Sequence, residues 1–287
     1  VDPTTMEIEG RHVSIDWWTA APDGRHVALG LSPAGSELAD TWIMDVAGAK
    51  FLPEKLPRTP VFAAQWLPDG SGLFGTRLRA DAVVGSVDFL QGSSVWLHRL
   101  GTDPKDDVRV LGRGMYPEVP LAPEEFPLVY ADPSSPYVVA STQGGVRREN
   151  PYFVARLADV LAGRPAWRRA CTLDDEVTGF AFRGEELYLL TTKGAENGRV
   201  VRTPLAKPSF ADATTVLPAG AVVVESVACA RDGVYVQDMD GGYGALRRLG
   251  NDGKVTRVPL PFEGSIVSIF SDSRTDGIWF GATGWLD

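Results

Sequence analysis

The chain has 287 residues, 31 of them Gly and 21 Pro, with 44% hydrophobic and 23% charged side chains, two cysteines and a formal charge of -9. This composition excludes a collagen, a coiled coil and a disordered tail, and the acidic balance excludes a surface built to track nucleic-acid phosphates. Two cysteines, Cys171 and Cys229, without a C-x-x-C spacing exclude a disulfide framework and a cysteine zinc site, and are expected as small buried hydrophobes.

In chain order, an apolar strand repeatedly meets a Pro/Asp/Gly turn and a second apolar strand follows at once. Ile15 to Ala21 turns at Pro22-Asp23-Gly24 into His26 to Gly30, and Phe62 to Leu67 turns at Pro68-Asp69-Gly70 into Leu73 to Thr76. Leu128 to Ala131 turns at Asp132-Pro133-Ser134-Ser135 into Tyr137 to Ser141, and Gly179 to Phe182 turns at Arg183-Gly184 into Leu187 to Leu190. Ser226 to Ala230 turns at Arg231-Asp232-Gly233 into Val234 to Val236, and Ile266 to Phe270 turns at Thr275-Asp276-Gly277 into Ile278 to Phe280.

After each of the first five pairs come two more strand-like segments, such as Thr41 to Val46 and Phe51 to Leu56, or Val200 to Leu205 and Thr214 to Leu217. Four short antiparallel strands per repeat form a propeller-blade period, because one small sheet cannot bury both faces and must pack against like neighbours. The expected fold is therefore all-β, a β-propeller of four-stranded antiparallel blades over 14–59, 60–114, 126–174, 177–219 and 222–262, with a partial blade over 264–287. Only Asn150 to Leu161 tempts a helix reading, and Pro151 weakens it. The sixth unit stops at Trp285-Leu286-Asp287 after its second strand. Either Met6 to Val13 completes it, or more chain belongs at both ends; the second is favoured, because the first unit needs no donor strand.

These residues resemble the propeller of the prolyl oligopeptidase family of serine peptidases. The stretch Pro22 to Glu37 with Trp42-Ile-Met-Asp-Val46 resembles its first complete blade, and Phe62 to Gly70 with Val95 to Asp103 is similar to the next. Trp167-Arg-Arg, Asp174 to Gly179, Leu187 to Thr192 and the closing Ala282 to Leu286 fit bacterial members. The resemblance covers nearly the whole chain. It implies a seven-bladed parent ring, of which about five and a half blades are present here, acting as a size filter over an α/β-hydrolase domain that cleaves short peptides after proline.

The sequence departs from that family in lacking its chemistry. No Gly-x-Ser-x-Gly nucleophile elbow occurs in the chain, and the only histidines, His12, His26 and His98, are read as exposed or packed strand residues. No catalytic residue, metal or other cofactor is therefore expected here. The acidic pairs Asp106-Asp107 and Asp174-Asp175 are read as solvated turns rather than cation sites. Arg147-Arg148, Arg168-Arg169 and Arg247-Arg248 are read as solvated edges or local ion pairs.

Three long connections, Arg77 to Ser94, Gly112 to Pro127 and Thr142 to Asn150, leave neighbouring blades on one face. Loops of that length in a compact domain carry function or disorder. Met115, Tyr116 and Phe126 are the candidates for an apolar wall facing substrate, and Gln143, Arg147 and Arg148 for a moving gate. The expected partners are the α/β-hydrolase domain of the same parent and short proline-containing peptides, with neither nucleic acid nor membrane: no apolar run reaches the roughly 18 residues of a membrane span. The first residues show neither a starter Met nor an apolar signal core, so the chain reads as soluble and trimmed, and low cysteine usage suits cytoplasm and periplasm alike. The rival readings are a free-standing propeller that binds a peptide or protein across one face, and a metal-dependent propeller enzyme.

Overall fold

The computed structural model describes residues 1–59, 62 and 64–284. It forms two compact units by internal contacts: Val1–Ala131 with Val138–Val146 and Asp159–Trp167, and Asp132–Tyr137 with Arg147–Ala158 and Arg168–Asp287. In the first unit, β1 (Glu7–Ile8), β2 (Arg11–Ala20), β3 (His26–Pro33), β4 (Asp40–Asp45) and β5 (Lys50–Leu56) make one antiparallel sheet in chain order. A second sheet follows from β6 (Gln65–Trp66), β7 (Gly72–Arg77), β8 (Ser94–Arg99) and β9 (Val108–Gly112), and β10 (Glu125–Ala131) pairs with β11 (Tyr137–Gly144).

In the second unit, β12 (Tyr152–Arg156) pairs with β13 (Arg168–Cys171). Two four-stranded sheets follow, β14 (Val177–Arg183), β15 (Glu186–Thr191), β16 (Arg199–Pro204) and β17 (Thr214–Leu217), then β18 (Val223–Ala230), β19 (Gly233–Asp240), β20 (Tyr243–Gly250) and β21 (Val255–Val258). The pair β22 (Ser265–Phe270) and β23 (Trp279–Thr283) ends the described chain. The expected closing residues Trp285-Leu286-Asp287, Ala63 in the strand Phe62 to Leu67, and Pro60 at the start of the second blade lie outside the described residues.

Both faces of these sheets are apolar, which forces each to pack on a neighbour. From the first sheet, Ala21, Ala28, Ile43 and Leu56 join Ala64, Trp66 and Leu73 of the second, while Val13, Leu29 and Leu31 turn the other way with Met6 and Ile8 against them. In the second unit, Tyr188, Leu190, Val200 and Leu217 pack on Val227, Cys229, Val234 and Val236. Tyr235, one residue out of phase, enters the next core with Leu246 and Ile266. The first strands β14 and β18 lie side by side. Both cysteines are free and buried, as expected; burial pushes each thiol up to about 12, which leaves them protonated and inert.

The turn chemistry follows from the sequence. In Pro-Asp-Gly turns the carboxylate accepts from the amide two residues on, Asp23 from Arg25 at 2.9 Å and Asp69 from Ser71 at 3.0 Å, and Gly24 and Gly70 take φ +69, which a side chain resists. Asp132 and Asp272 make the same turn with Ser134 and Arg274.

The strand pairing decides two open readings and corrects two expectations. Met6 to Val13 does not wait to complete a sixth unit, because Glu7↔His12 and Ile8↔Arg11 fold it as a hairpin of the first sheet. The segment Asn150 to Leu161 is strand β12 followed by one turn of helix, α1 (Leu157–Leu161), the only α-helix among the described residues. Asp175 is no solvated turn acid: it caps a short 3-10 turn through Thr172 and pairs with Lys193 at 3.0 Å.

The larger correction is Asp107, which lies beneath the second sheet with its side chain only 1% exposed. Its carboxylate pairs with Arg77 and accepts from His98 Nδ1 at 2.7 Å, while His98 Nε2 faces Glu54 at 4.0 Å. Glu54 in turn accepts the Gly101 amide at 2.9 Å. The apolar-poor segment Asp103 to Asp107 hid this, because only the fold brings β5, β7 and β8 around it.

Removing one partner of a buried ion pair strands the other charges. We expect Asp107→Ala to lower the unfolding free energy by about 3–5 kcal/mol, and its exposed neighbour Asp106→Ala to change it by less than about 0.5 kcal/mol, as read from denaturant midpoints. The Ser71 hydroxyl and amide hold the Asp69 carboxyl below its ordinary 3.8. A depressed carboxyl contributes stability in full above the unfolded value and loses it as pH falls through the folded one. Asp69→Asn is therefore expected to melt below the unmodified protein at neutral pH, with the gap closing in acid below the ordinary 3.8, in thermal scans across pH.

Candidate functional site

The long connections leave the sheet ends opposite the Pro-Asp-Gly turns. In the first unit, residues 78–93 join β7 to β8 and residues 113–124 join β9 to β10. Each loop is built, not slack. Arg79 donates to Asp88 at 2.8 Å across the first, Ser86 Oγ caps the same carboxylate at 2.7 Å, and Glu125 accepts the Ala122 amide at 2.8 Å in the second. The Gly92 amide donates to the Pro123 carbonyl at 2.7 Å, so the two loops are tied into one surface. At the tip, Val83, Val84 and Val87 stand in solvent, the last fully exposed.

Phe126 and Gln143 are direct cross-strand partners on β10 and β11. The Phe126 ring meets Phe62 edge-on at 5.5 Å, and Gln143 Nε2 donates to the Tyr130 hydroxyl at 3.4 Å. Burial pushes the Tyr130 phenol up to about 12, so it stays a neutral hydrogen-bonding group. Met115 and Tyr116 are half-buried in the second loop, with Met115 Sδ accepting from Arg109 Nε at 3.0 Å. Burial and then Glu118 raise the Tyr116 phenol, against Arg109. These four residues thus line one unit's loop face. Arg147 and Arg148 belong to the second unit, where both are exposed and the Arg148 carbonyl accepts from Asn150 Nδ2 at 3.1 Å.

A second feature escaped the sequence reading. The register slips at the same place in the first long strand of four sheets, between Ile15 and Trp17, Val177 and Gly179, Val224 and Ser226, and Ile266 and Ser268. A bulge inserts one residue and re-aims its side chain. In the first sheet the inserted residue is Asp16, which accepts from Ser32 Oγ at 2.8 Å. The next residue, Trp17, lies flat on Gly30, where a Cβ would stand 2.3 Å from the indole nitrogen. Asp16 and Trp17 border a groove of about 600 Å³ with Glu37, Leu38, Phe89 and Leu90. A repeated one-residue slip leaves no compositional trace, since the apolar alternation resumes after it.

His98, the one fully buried histidine, has both ring nitrogens turned to carboxylates beneath the sheet, and the thiols and the Tyr130 phenol are protonated. Among the described residues no group of three or more His, Cys, Asp or Glu side chains is placed to hold a metal ion.

Comparison with known proteins agrees with the sheet architecture. A prolyl endopeptidase of Elizabethkingia meningoseptica is 23% identical over 270 residues, which is 92% of this chain and 36% of that protein. A solved structure from a study of two prolyl endopeptidases and their inter-domain dynamics superposes with a TM-score of 0.84 at 21% identity, covering 99% of this chain and 41% of that one. Apo prolyl oligopeptidase B from Galerina marginata gives 0.81 at 17% identity, covering 99% and 40%. The chain thus spans about two fifths of the length of these relatives. The family described as "Prolyl oligopeptidase, N-terminal beta-propeller domain" matches residues 1–287, and the chain belongs to that family.

Proposed function

We propose that this chain is the substrate-gating propeller of a prolyl oligopeptidase-like serine peptidase that cleaves short peptides after proline, its catalytic residues carried by an α/β-hydrolase domain elsewhere in the same polypeptide. The observation that carries the reading is the asymmetry of the sheet ends. One end closes in tight Asx turns, and the other carries long loops that are stapled internally and to each other by the Gly92–Pro123 hydrogen bond. Ordered loops with a solvent-facing apolar tip suit contact with another body, because exposed valines on a fixed loop are costly unless they are covered in the working protein.

In this reading, Phe126 and Phe62 supply an apolar wall and Gln143 a polar contact, while Met115 and Tyr116 border it. Arg147 and Arg148, exposed beside the bare Val146, form the movable element, whose charges re-pair when the loop shifts. Proline-containing peptides fit such a wall, since a pyrrolidine ring packs on aromatic faces and offers no amide hydrogen to leave unpaired.

The test uses the intact parent protein with a short proline-containing reporter peptide and a long one. The Arg147→Ala, Arg148→Ala double variant is expected to change the ratio of kcat/KM for the long and short peptides by several-fold, within the range of ordinary coupling energies. Unchanged rates on both remove the gating role of this loop. A parent that cleaves neither peptide removes the peptidase reading and leaves a binding propeller.

A further inference from the structure

The hairpin turns of the second unit are joined to one another, and the joints can be followed from sheet to sheet. Ser135 Oγ of the β10–β11 turn donates to the Gly184 carbonyl of the β14–β15 turn, and the Gly184 amide donates back to Ser134 Oγ at 3.0 Å. Arg183, at the head of that second turn, donates to the Ala230 and Arg231 carbonyls at the β18–β19 turn, and to Asn251.

Arg231 carries the chain of bonds onward. Its amide donates to the Thr275 carbonyl at 2.8 Å and its guanidinium to Asp276 at 2.8 Å, while Asp232 accepts the Gly277 amide at 3.0 Å. Each of these bonds links a sheet to the next in chain order. The last bond does not. Ser273 Oγ, in the β22–β23 connection, donates to Asp132 Oδ1 at 2.7 Å, which returns to the first turn across 141 residues of sequence. This bond skips two sheets and closes the chain of turn-to-turn bonds into a circuit.

Asp132 is prepared for this role. The same Oδ1 accepts the Ser134 amide at 2.9 Å and its hydroxyl at 2.6 Å, so the acceptor is fixed before Ser273 arrives. Arg274 stands next to Ser273, held to Asp272 at 2.7 Å and close enough to Asp132 for that charge to strengthen its own. The circuit has no apolar core. It is held by hydrogen bonds and ion pairs at partly exposed turns, so its closure is worth little to global stability and much to what passes between the turns.

We propose that Ser273 and Asp132 are length-selecting residues: their hydrogen bond closes the circuit of turns in the second unit and bars a peptide chain from passing between those turns. This rests on the gating reading above. A short peptide reaches the reacting groups without passing these turns and does not sense the circuit. A long peptide must leave part of its chain somewhere, and the closed turns deny it that exit.

Ser273→Ala in the intact parent is expected to raise kcat/KM for a long proline-containing peptide by about fivefold, the factor one net hydrogen bond commonly supplies, and to leave the short reporter peptide unchanged. Ser273→Thr keeps the hydroxyl and is expected to behave as the unmodified protein. An unmoved ratio of long to short rates overturns the proposal, and so does an equal fall in both, which marks a merely structural role. A parent inactive on the short peptide fails the gating reading itself, and the length-selecting role falls with it.

Discussion

A sheet of four short strands has two faces, and along β19 in this chain both are apolar: Val234 and Val236 enter one core while Tyr235 enters the next. Such a sheet is unstable alone, since either face left wet forfeits the burial that offsets the entropy of ordering it. It must stand between two like sheets. That requirement explains why the repeat exists, why the buried residues belong to shared cores instead of single-sheet ones, and why the first strands crowd together where β14 meets β18. It also leaves the two ends of every sheet free of core duties, and the chemistry of this chain is found there.

The two ends are built from different materials. At the turn end, a carboxylate fixes the amide two residues on and a glycine takes the left-handed backbone, so the connection needs no outside support and stays short. At the loop end, the chain spends sixteen residues on 78–93 alone and stabilises them with Arg79, Asp88 and a cross-loop backbone bond. Closure entropy rises only slowly with loop length, so the extra residues cost the fold little and provide surface. The proposed gating rests on this division, with one end short and closed and the other large enough to touch another body.

How much of this the sequence revealed depended on whether the determining contact was local. The turns at Gly24 and Gly70 are local, and the strands on either side were placed within a few residues. The long connections were legible for the same reason, as stretches where the apolar alternation lapses. Asp107 was not, because its partners Arg77 and His98 come from two strands distant in sequence, with Glu54 of a third strand beyond His98, and its own neighbours, Asp103 to Asp106, are the polar residues of an ordinary turn. The bulges at Ile15/Trp17 and Val224/Ser226 were missed for a different reason: a one-residue slip shifts which face Asp16 and Glu225 occupy without altering composition.

The buried Arg77–Asp107–His98 group and the turn circuit of the second unit show two uses of charge in one fold. The first is enclosed, where water cannot compete and each partner is indispensable to the others, so it holds β7, β8 and the segment before β9 in one geometry. The second is at the surface, where solvent screens each pair and none contributes much alone. A surface circuit can therefore open without unfolding the sheets it joins, because the apolar cores of Leu190, Val227 and Ile266 lie outside it. The proposed length selection requires that separation: the element that decides passage must be weaker than the scaffold that carries it.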